Sequence, residues 1–270
     1  NNADKTISDF HIYTSGYGVT EEKAMKLKKA GLHAAAIGLD DFSPKRQNEI
    51  RGFFGAYDIA INAISSFTKA GILTYINTCL SKELVNSGGL WQLAELAKKH
   101  GIAAIRLLEP KTVGGYFYSP KDDLFTDKER RTTEDFFLKM NNNKEYSDYP
   151  VVFWIDYGES PERAGCGMGG FVQMHIDAKG NVNPCVFMPV TFGNIKEQSV
   201  TEIFKRMRQA SPHHLKQGCP SFTLSPLFKK LAQENIQMPF PYQLVKQEWH
   251  ELYQISVPQK QKVQTLHLLN

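Results

Sequence analysis

The sequence predicts an α/β protein, a parallel sheet with crossover helices, followed by a smaller α+β region built on a β-hairpin. Two observations carry this. Lys29-Ala30-Gly31-Leu32, Lys69-Ala70-Gly71-Ile72 and Lys99-His100-Gly101-Ile102 each close an amphipathic stretch and open an apolar run. Further along, Val172, Met174 and Ile176 alternate with Gln173, His175 and Asp177 ahead of Ala178-Lys179-Gly180-Asn181, a period of two followed by a turn.

Each Lys-x-Gly tetrapeptide reads as helix, stop, strand: lysine suits the negative end of a helix and glycine supplies the left-handed residue that ends it. Strands are therefore expected at 9–14, 33–39, 73–78 and 103–108, with helices at 21–30, 57–70 and 90–100 between them. Strands alternating with helices imply a parallel sheet, closed as a barrel or doubly wound. Thr14, Ser15, Asp40, Asp41, Asn77, Thr78 and Glu109 gather at the strand ends, the edge where parallel α/β folds bind ligands. A helix at 126–140 and a strand at 151–155 connect to the hairpin region, and Ser199 with Glu202 starts a helix over 199–207 by a capping box. The segment 242–253, carrying Trp249, reads as an amphipathic helix.

The 270 residues are 41% hydrophobic and 22% charged, the composition of a globular chain with a sizeable core. No apolar run is long enough to span a bilayer. The net charge of +4, from 32 basic and 28 acidic residues, is spread along the chain with no basic run interleaved with aromatics, so neither a membrane nor a nucleic acid is an expected partner. The polar start lacks the order of a secretion signal, and four cysteines in 270 residues fit a reducing cytoplasm. The first residue is Asn1, and the expectation is a piece of a longer protein.

Cys166 and Cys185 stand at the two ends of the hairpin. Such a pair suits a metal site, a disulfide or two packed thiols, and the reducing compartment weighs against the disulfide. Cys79, with no cysteine neighbour in sequence, is expected to be a packed thiol.

The chain resembles the radical S-adenosylmethionine (SAM) superfamily with a C-terminal SPASM or twitch domain. Ile37-Gly38-Leu39-Asp40 matches that family's I-S-L-D, and Glu49-Ile50-Arg51-Gly52 its I-R-G. Cys166, thirteen residues, Gly180, four residues and Cys185 match the C-x9–15-G-x4-C opening of the auxiliary domain, and Phe192-Gly193-Asn194-Ile195 with Ser199-Val200-Thr201-Glu202-Ile203 matches the stretch that follows it. The resemblance implies a partial (β/α)6 barrel. It divides the chain into a barrel portion at 1–118, a connecting helix and strand at 119–160, an auxiliary domain at 161–224 and a helical segment at 225–270.

It also implies an auxiliary 4Fe–4S cluster held by Cys166, Cys185 and Cys219, because thiolates hold such clusters. A zinc site completed by His213 or His214 is the rival, since zinc accepts three thiolates and one imidazole. For SAM, the resemblance implies Arg51 near the carboxylate and Leu108 against the adenine. Asp40 and Asn77 would line the pocket, and Gly38 stands where a serine is usual, so its side-chain contact is lost.

The family's C-x3-C-x2-C motif and G-G-E segment are absent from the 270 residues. The implied parent is an enzyme that cleaves SAM to a 5′-deoxyadenosyl radical and abstracts hydrogen from a peptide or small-molecule substrate, with a flavodoxin or ferredoxin as electron donor. This chain alone is expected to be inactive. The alternative is a degenerate relative that uses its metal domain as a binding module.

Overall fold

The computed structural model describes residues 4, 6–117 and 124–254. The chain forms two compact units, Asn1–Pro110 with Lys121–Asp156, and Lys111–Pro120 with Tyr157–Asn270.

The first unit is a parallel sheet of five strands in sequential order: β1 (His11–Thr14), β2 (Ala34–Gly38), β3 (Leu73–Cys79), β4 (Ala104–Leu108) and β5 (Val151–Trp154). Between them run α1 (Glu21–Ala30), α2 (Pro44–Arg51), α3 (Ala56–Lys69), α4 (Lys82–Asn86), α5 (Gly89–Lys99) and α6 (Asp127–Asn142). The lysine–glycine punctuation acts as expected: Gly31, Gly71 and Gly101 have φ of 96°, 69° and 64°. The strand read as a connector is the fifth strand, paired with β4 from Ala104↔Val151 to Leu107↔Trp154.

Two faces result from strand alternation. On one, Ile37, Ile76, Ile105 and Val152 are buried, as are Ala60, Ala63, Ile64 and Phe67 of α3 and Leu90, Leu93, Ala94 and Ala97 of α5. Each large side chain buried this way is worth roughly 1.5–3 kcal/mol. The opposite face presents Tyr13, Leu73, Val151 and Phe153, each at least half exposed. Register places Tyr13, Ala36 and Tyr75 side by side. With only a methyl between them, the two tyrosine rings meet edge-on at 6.5 Å.

The second unit follows the short helix α7 (Ile155–Gly158) and holds α8 (Val200–Ala210), α9 (Pro220–Gln233) and α10 (Tyr242–Leu252) around two small sheets. Its core includes Val182, Val190, Phe192, Ile203, Met207, Phe228, Phe240 and Trp249. Phe192 stacks on Tyr242 at 4.3 Å, and the Trp249 indole N–H donates to the Ala210 carbonyl at 3.0 Å. The capping box of α8 is formed by Ser199 and Glu202 as its sequence predicts.

The hairpin is present but shorter than its alternation predicts. Met168–Val172 form a π-helical turn, and only β6 (His175–Ile176) pairs antiparallel with β7 (Val182–Asn183). Val172, Met174 and Ile176 are 57%, 39% and 41% exposed, so their alternation does not mark a buried strand face. Residues 255–270 of the expected C-terminal segment lie outside the described residues.

Candidate functional site

The C-terminal edge of β2 is built around a buried carboxylate. Asp40 is 5% exposed; its Oδ2 lies 2.7 Å from Arg51 Nη2, and its Oδ1 accepts the Cys79 N–H at 2.9 Å. Burial pushes its pKa up, and the Arg51 guanidinium opposes that shift. Gln47, buried on α2, completes the edge: its Oε1 accepts the N–H groups of Asp40 and Asp41 at 2.8 and 3.2 Å, and its Nε2 donates to the Gly38 carbonyl at 3.3 Å. A β-carbon at Gly38 would stand 2.5 Å from Arg51 Nη2, so glycine lets the guanidinium cross the strand end to reach Asp40.

Beside this edge lies a cavity of about 420 Å³ lined by Ser15, Tyr17, Gly38, Gln47, Arg51, Phe53, Ala56 and Ile59, a volume in the range of small-molecule sites. Of the residues expected to meet SAM, Gly38 and Arg51 line it. Asp40 stands behind Arg51 with both carboxylate oxygens engaged, so it positions the arginine. Asn77 and Leu108 are not in its lining; they lie on the same helix-free face of the sheet as Gly38, where Asn77 pairs in register with Gly38 and Arg106, and Leu108 with Cys79. Asn77 Oδ1 is buried there with no hydrogen-bond partner, an orphan that a bound group with a donor would satisfy. Glu109, another strand-end carboxylate, is held by Arg130 Nε and Nη2 at 3.0 and 2.7 Å. Cys79 is exposed, contrary to the packed thiol expected, because the odd-numbered side chains of β3 face away from the helices.

Gln47 escaped the sequence reading. Its signal was Ser43-Pro44, the start of α2 with proline in the first turn. Tyr13, Tyr75 and Arg106 escaped as well: the Arg106 Nη1–H donates to Tyr13 Oη at 2.8 Å, and Tyr75 Oη lies 3.3 Å from His11 Nδ1.

In the second unit, Cys166 is buried and bridges to Leu215: its N–H donates to the Leu215 carbonyl at 2.8 Å, and the Leu215 N–H donates back at 2.9 Å. Cys185 bridges to Met188 and its sulfur accepts the Phe187 N–H at 3.5 Å. Burial pushes the Cys185 thiol up to about 11, with Cys219 and Glu159 close enough to add to the shift. Cys219 precedes Pro220 at the start of α9, with Sγ 3.0 Å from Ser221 Oγ. The structure thus sets Cys185 and Cys219 within electrostatic reach of one another, while Cys166 stands in the same relation to Tyr253. Among the described residues, no three His, Cys, Asp or Glu side chains form a group able to hold one metal ion.

His213, one of the two candidate zinc ligands, has both ring nitrogens engaged, with the carbonyls of His214 at 2.9 Å and Tyr253 at 3.3 Å. The ring of His214 covers Gly167 and meets Phe171 edge-on at 4.9 Å. Asp177 organises the turn between Cys166 and Cys185 by accepting the N–H groups of Lys179 and Asn181 at 2.8 and 2.9 Å. Gly180 in that turn has φ 92°, and a β-carbon there would meet Asn194 Oδ1 at 2.9 Å. As a donor set, three thiols with an N–H directed at one sulfur fit an iron–sulfur cluster, whose ligand thiolates are commonly hydrogen-bonded.

The SPASM family, described as an iron–sulfur cluster-binding domain, matches residues 166–222, a span that begins at Cys166 and includes Cys185 and Cys219. The chain is 26% identical over 233 residues to the AdoMet-dependent heme synthase of Methanosarcina barkeri, covering 77% of this chain and 64% of that protein. It is 24% identical over 201 residues to the PqqA peptide cyclase of Rhizobium meliloti, covering 72% of this chain and 52% of that protein. In fold it is similar to anSMEcpe with bound AdoMet and Kp18Cys peptide, with a TM-score of 0.55 and 14% identity over 77% of this chain and 60% of that one. The chain therefore spans between about half and two thirds of the length of these relatives. Among the described residues no helix is long and apolar enough to cross a membrane. By its cluster-binding segment and its five-stranded parallel sheet, the chain is a homologue of the radical SAM enzymes that carry a SPASM domain.

Proposed function

We propose that this chain is the substrate-side barrel portion and auxiliary-cluster domain of a radical SAM enzyme acting on a peptide or small molecule. The observation that carries this reading is the coincidence, in one chain, of a matched cluster-binding segment holding three cysteines and a cavity at the C-terminal edge of a parallel sheet. Gly38 and Arg51 would hold SAM in that cavity, with the guanidinium near its carboxylate and Asp40 fixing the guanidinium from behind. Asn77 and Leu108 would reach the bound group from the helix-free face. Tyr17, Phe53 and Ile59 would exclude water from the reacting end.

Cys166, Cys185 and Cys219 would hold the auxiliary 4Fe–4S cluster. A single zinc ion needs its ligand sulfurs about 4 Å apart, whereas a cubane accepts them at about 6–7 Å. The match of residues 166–222 to a segment described as iron–sulfur cluster-binding, which includes all three cysteines, favours the larger group. When bound, SAM with a reduced cluster on C-x3-C-x2-C ligands, a motif these 270 residues do not contain, would supply the hydrogen-abstracting radical. Electrons for that step would come from a flavodoxin or ferredoxin.

The test is anaerobic reconstitution of a parent protein carrying the C-x3-C-x2-C motif, with dithionite and SAM. Formation of 5′-deoxyadenosine supports the reading. A parent that binds metal yet forms none under these conditions is a binding module, and the reading fails.

A further inference from the structure

Arg106 occupies the middle of β4 on the helix-free face, half-buried. Its one hydrogen bond among the described residues goes to the Tyr13 hydroxyl at 2.8 Å, and among those residues no carboxylate pairs with it. A guanidinium carries five N–H donors in a planar fork, so most of its hydrogen-bonding capacity is unused. Native chains rarely withdraw a charge partly from water without a counter-charge. Asn77 is its register neighbour on β3. On the other side stands Phe153, 54% exposed, with Val151 at 51% on the same strand face. A cation with free donors and one exposed aromatic ring, Phe153, therefore share a row of the sheet, with the exposed Val151 on the same face.

We propose that Arg106, backed by Tyr13, binds a carboxylate of the substrate, and that the substrate carries an apolar or aromatic body beside that carboxylate. A planar carboxylate matches the guanidinium fork in a bidentate pair, and Phe153 and Val151 offer the apolar contact. This deepens the proposed function and rests on it for the identity of the occupant.

The experiment titrates the 270-residue chain with 4-phenylbutyrate, an apolar body with one carboxylate, and with 4-phenylbutanol as its uncharged counterpart, read by ligand-observed NMR. SAM is titrated in parallel. The acid should bind at least tenfold more tightly than the alcohol. Arg106→Gln should remove that preference, Arg106→Lys should keep part of it, and Tyr13→Phe, which leaves the charge in place, should change it less than threefold. SAM affinity should be the same in all four proteins, and thermal unfolding midpoints confirm that each variant is folded.

Equal binding of acid and alcohol by the native chain overturns the proposal. So does a SAM affinity that falls with Arg106→Gln, which would give the guanidinium to the cofactor's own carboxylate. Because the readout needs no turnover, a parent protein that forms no 5′-deoxyadenosine would refute the proposed function while leaving the anion site measurable.

Discussion

Replacing Arg51 by methionine should destabilise the sheet unit through Asp40. Methionine keeps the length of the side chain and removes the charge, leaving a carboxylate 6% exposed with only the Cys79 N–H as partner. Breaking a fully buried pair costs about 3–5 kcal/mol. The Arg51 side chain is 35% exposed, so solvent screens part of the interaction and about 2 kcal/mol is the working figure. With a urea dependence of about 2 kcal/mol/M, the unfolding midpoint read by circular dichroism should fall by about 1 M.

The pH dependence has a definite sign. Burial already raises the Asp40 pKa above its ordinary 3.8, so ionised Asp40 opposes folding, and loss of Arg51 raises it further. Stability should be retained at low pH and lost as pH rises through the folded-state pKa. The midpoint difference should therefore be larger at pH 8 than at pH 5. Asp40→Asn added to Arg51→Met should recover most of the loss. A single variant within about 0.5 kcal/mol of the native chain at pH 8, or no recovery in the double variant, would show that the pair does not hold this edge.

Two further outcomes follow from local geometry. Gly180→Val should cost about 1–3 kcal/mol, since it combines a φ of 92° with a β-carbon 2.9 Å from Asn194 Oδ1; unchanged thermal stability would refute the tight turn. The Glu129 carboxylate, which accepts from Thr126 and Asn86, is held down at about 2 against an ordinary 4.5. Its contribution is present above the unfolded-state value and lost as pH falls towards 2. The advantage of the native chain over Glu129→Gln should thus shrink between about pH 5 and pH 2, and a constant gap in melting temperature would contradict the assignment.

What the sequence made legible was local chemistry. Each Lys-x-Gly-apolar unit fixes a helix end and a strand start within four residues, so α1, α3, α5 and the strands after them could be placed. The cysteine spacing could be read because the glycine turn and both thiols lie within twenty residues. Val172, Met174 and Ile176 misled because a π-helical turn absorbs Val172 and the pairing is two residues long. No pattern announces a turn of that kind. The start of α9 was missed: the helical segment expected at 225–270 begins five residues after Pro220, because proline reads as a break as readily as a first turn.

Contacts set by register were out of reach. Tyr13 and Arg106 are 93 residues apart, and Arg51 meets Asp40 only once α2 folds back over the end of β2. Arg51 could be assigned to a cofactor by resemblance, but its use as a counter-ion depends on Gly38 leaving room.

The central claim is that Cys166, Cys185 and Cys219 hold one auxiliary cluster. The 270-residue chain tests it directly, because it contains no C-x3-C-x2-C motif and any cluster it binds is held by other ligands. Anaerobic reconstitution with iron and sulfide, followed by metal and sulfide analysis, should give about four iron and four acid-labile sulfide per chain, and Cys185→Ala or Cys219→Ala should abolish both. Stoichiometric zinc without sulfide, or full iron and sulfide content in the Cys185→Ala and Cys219→Ala variants, would contradict the account.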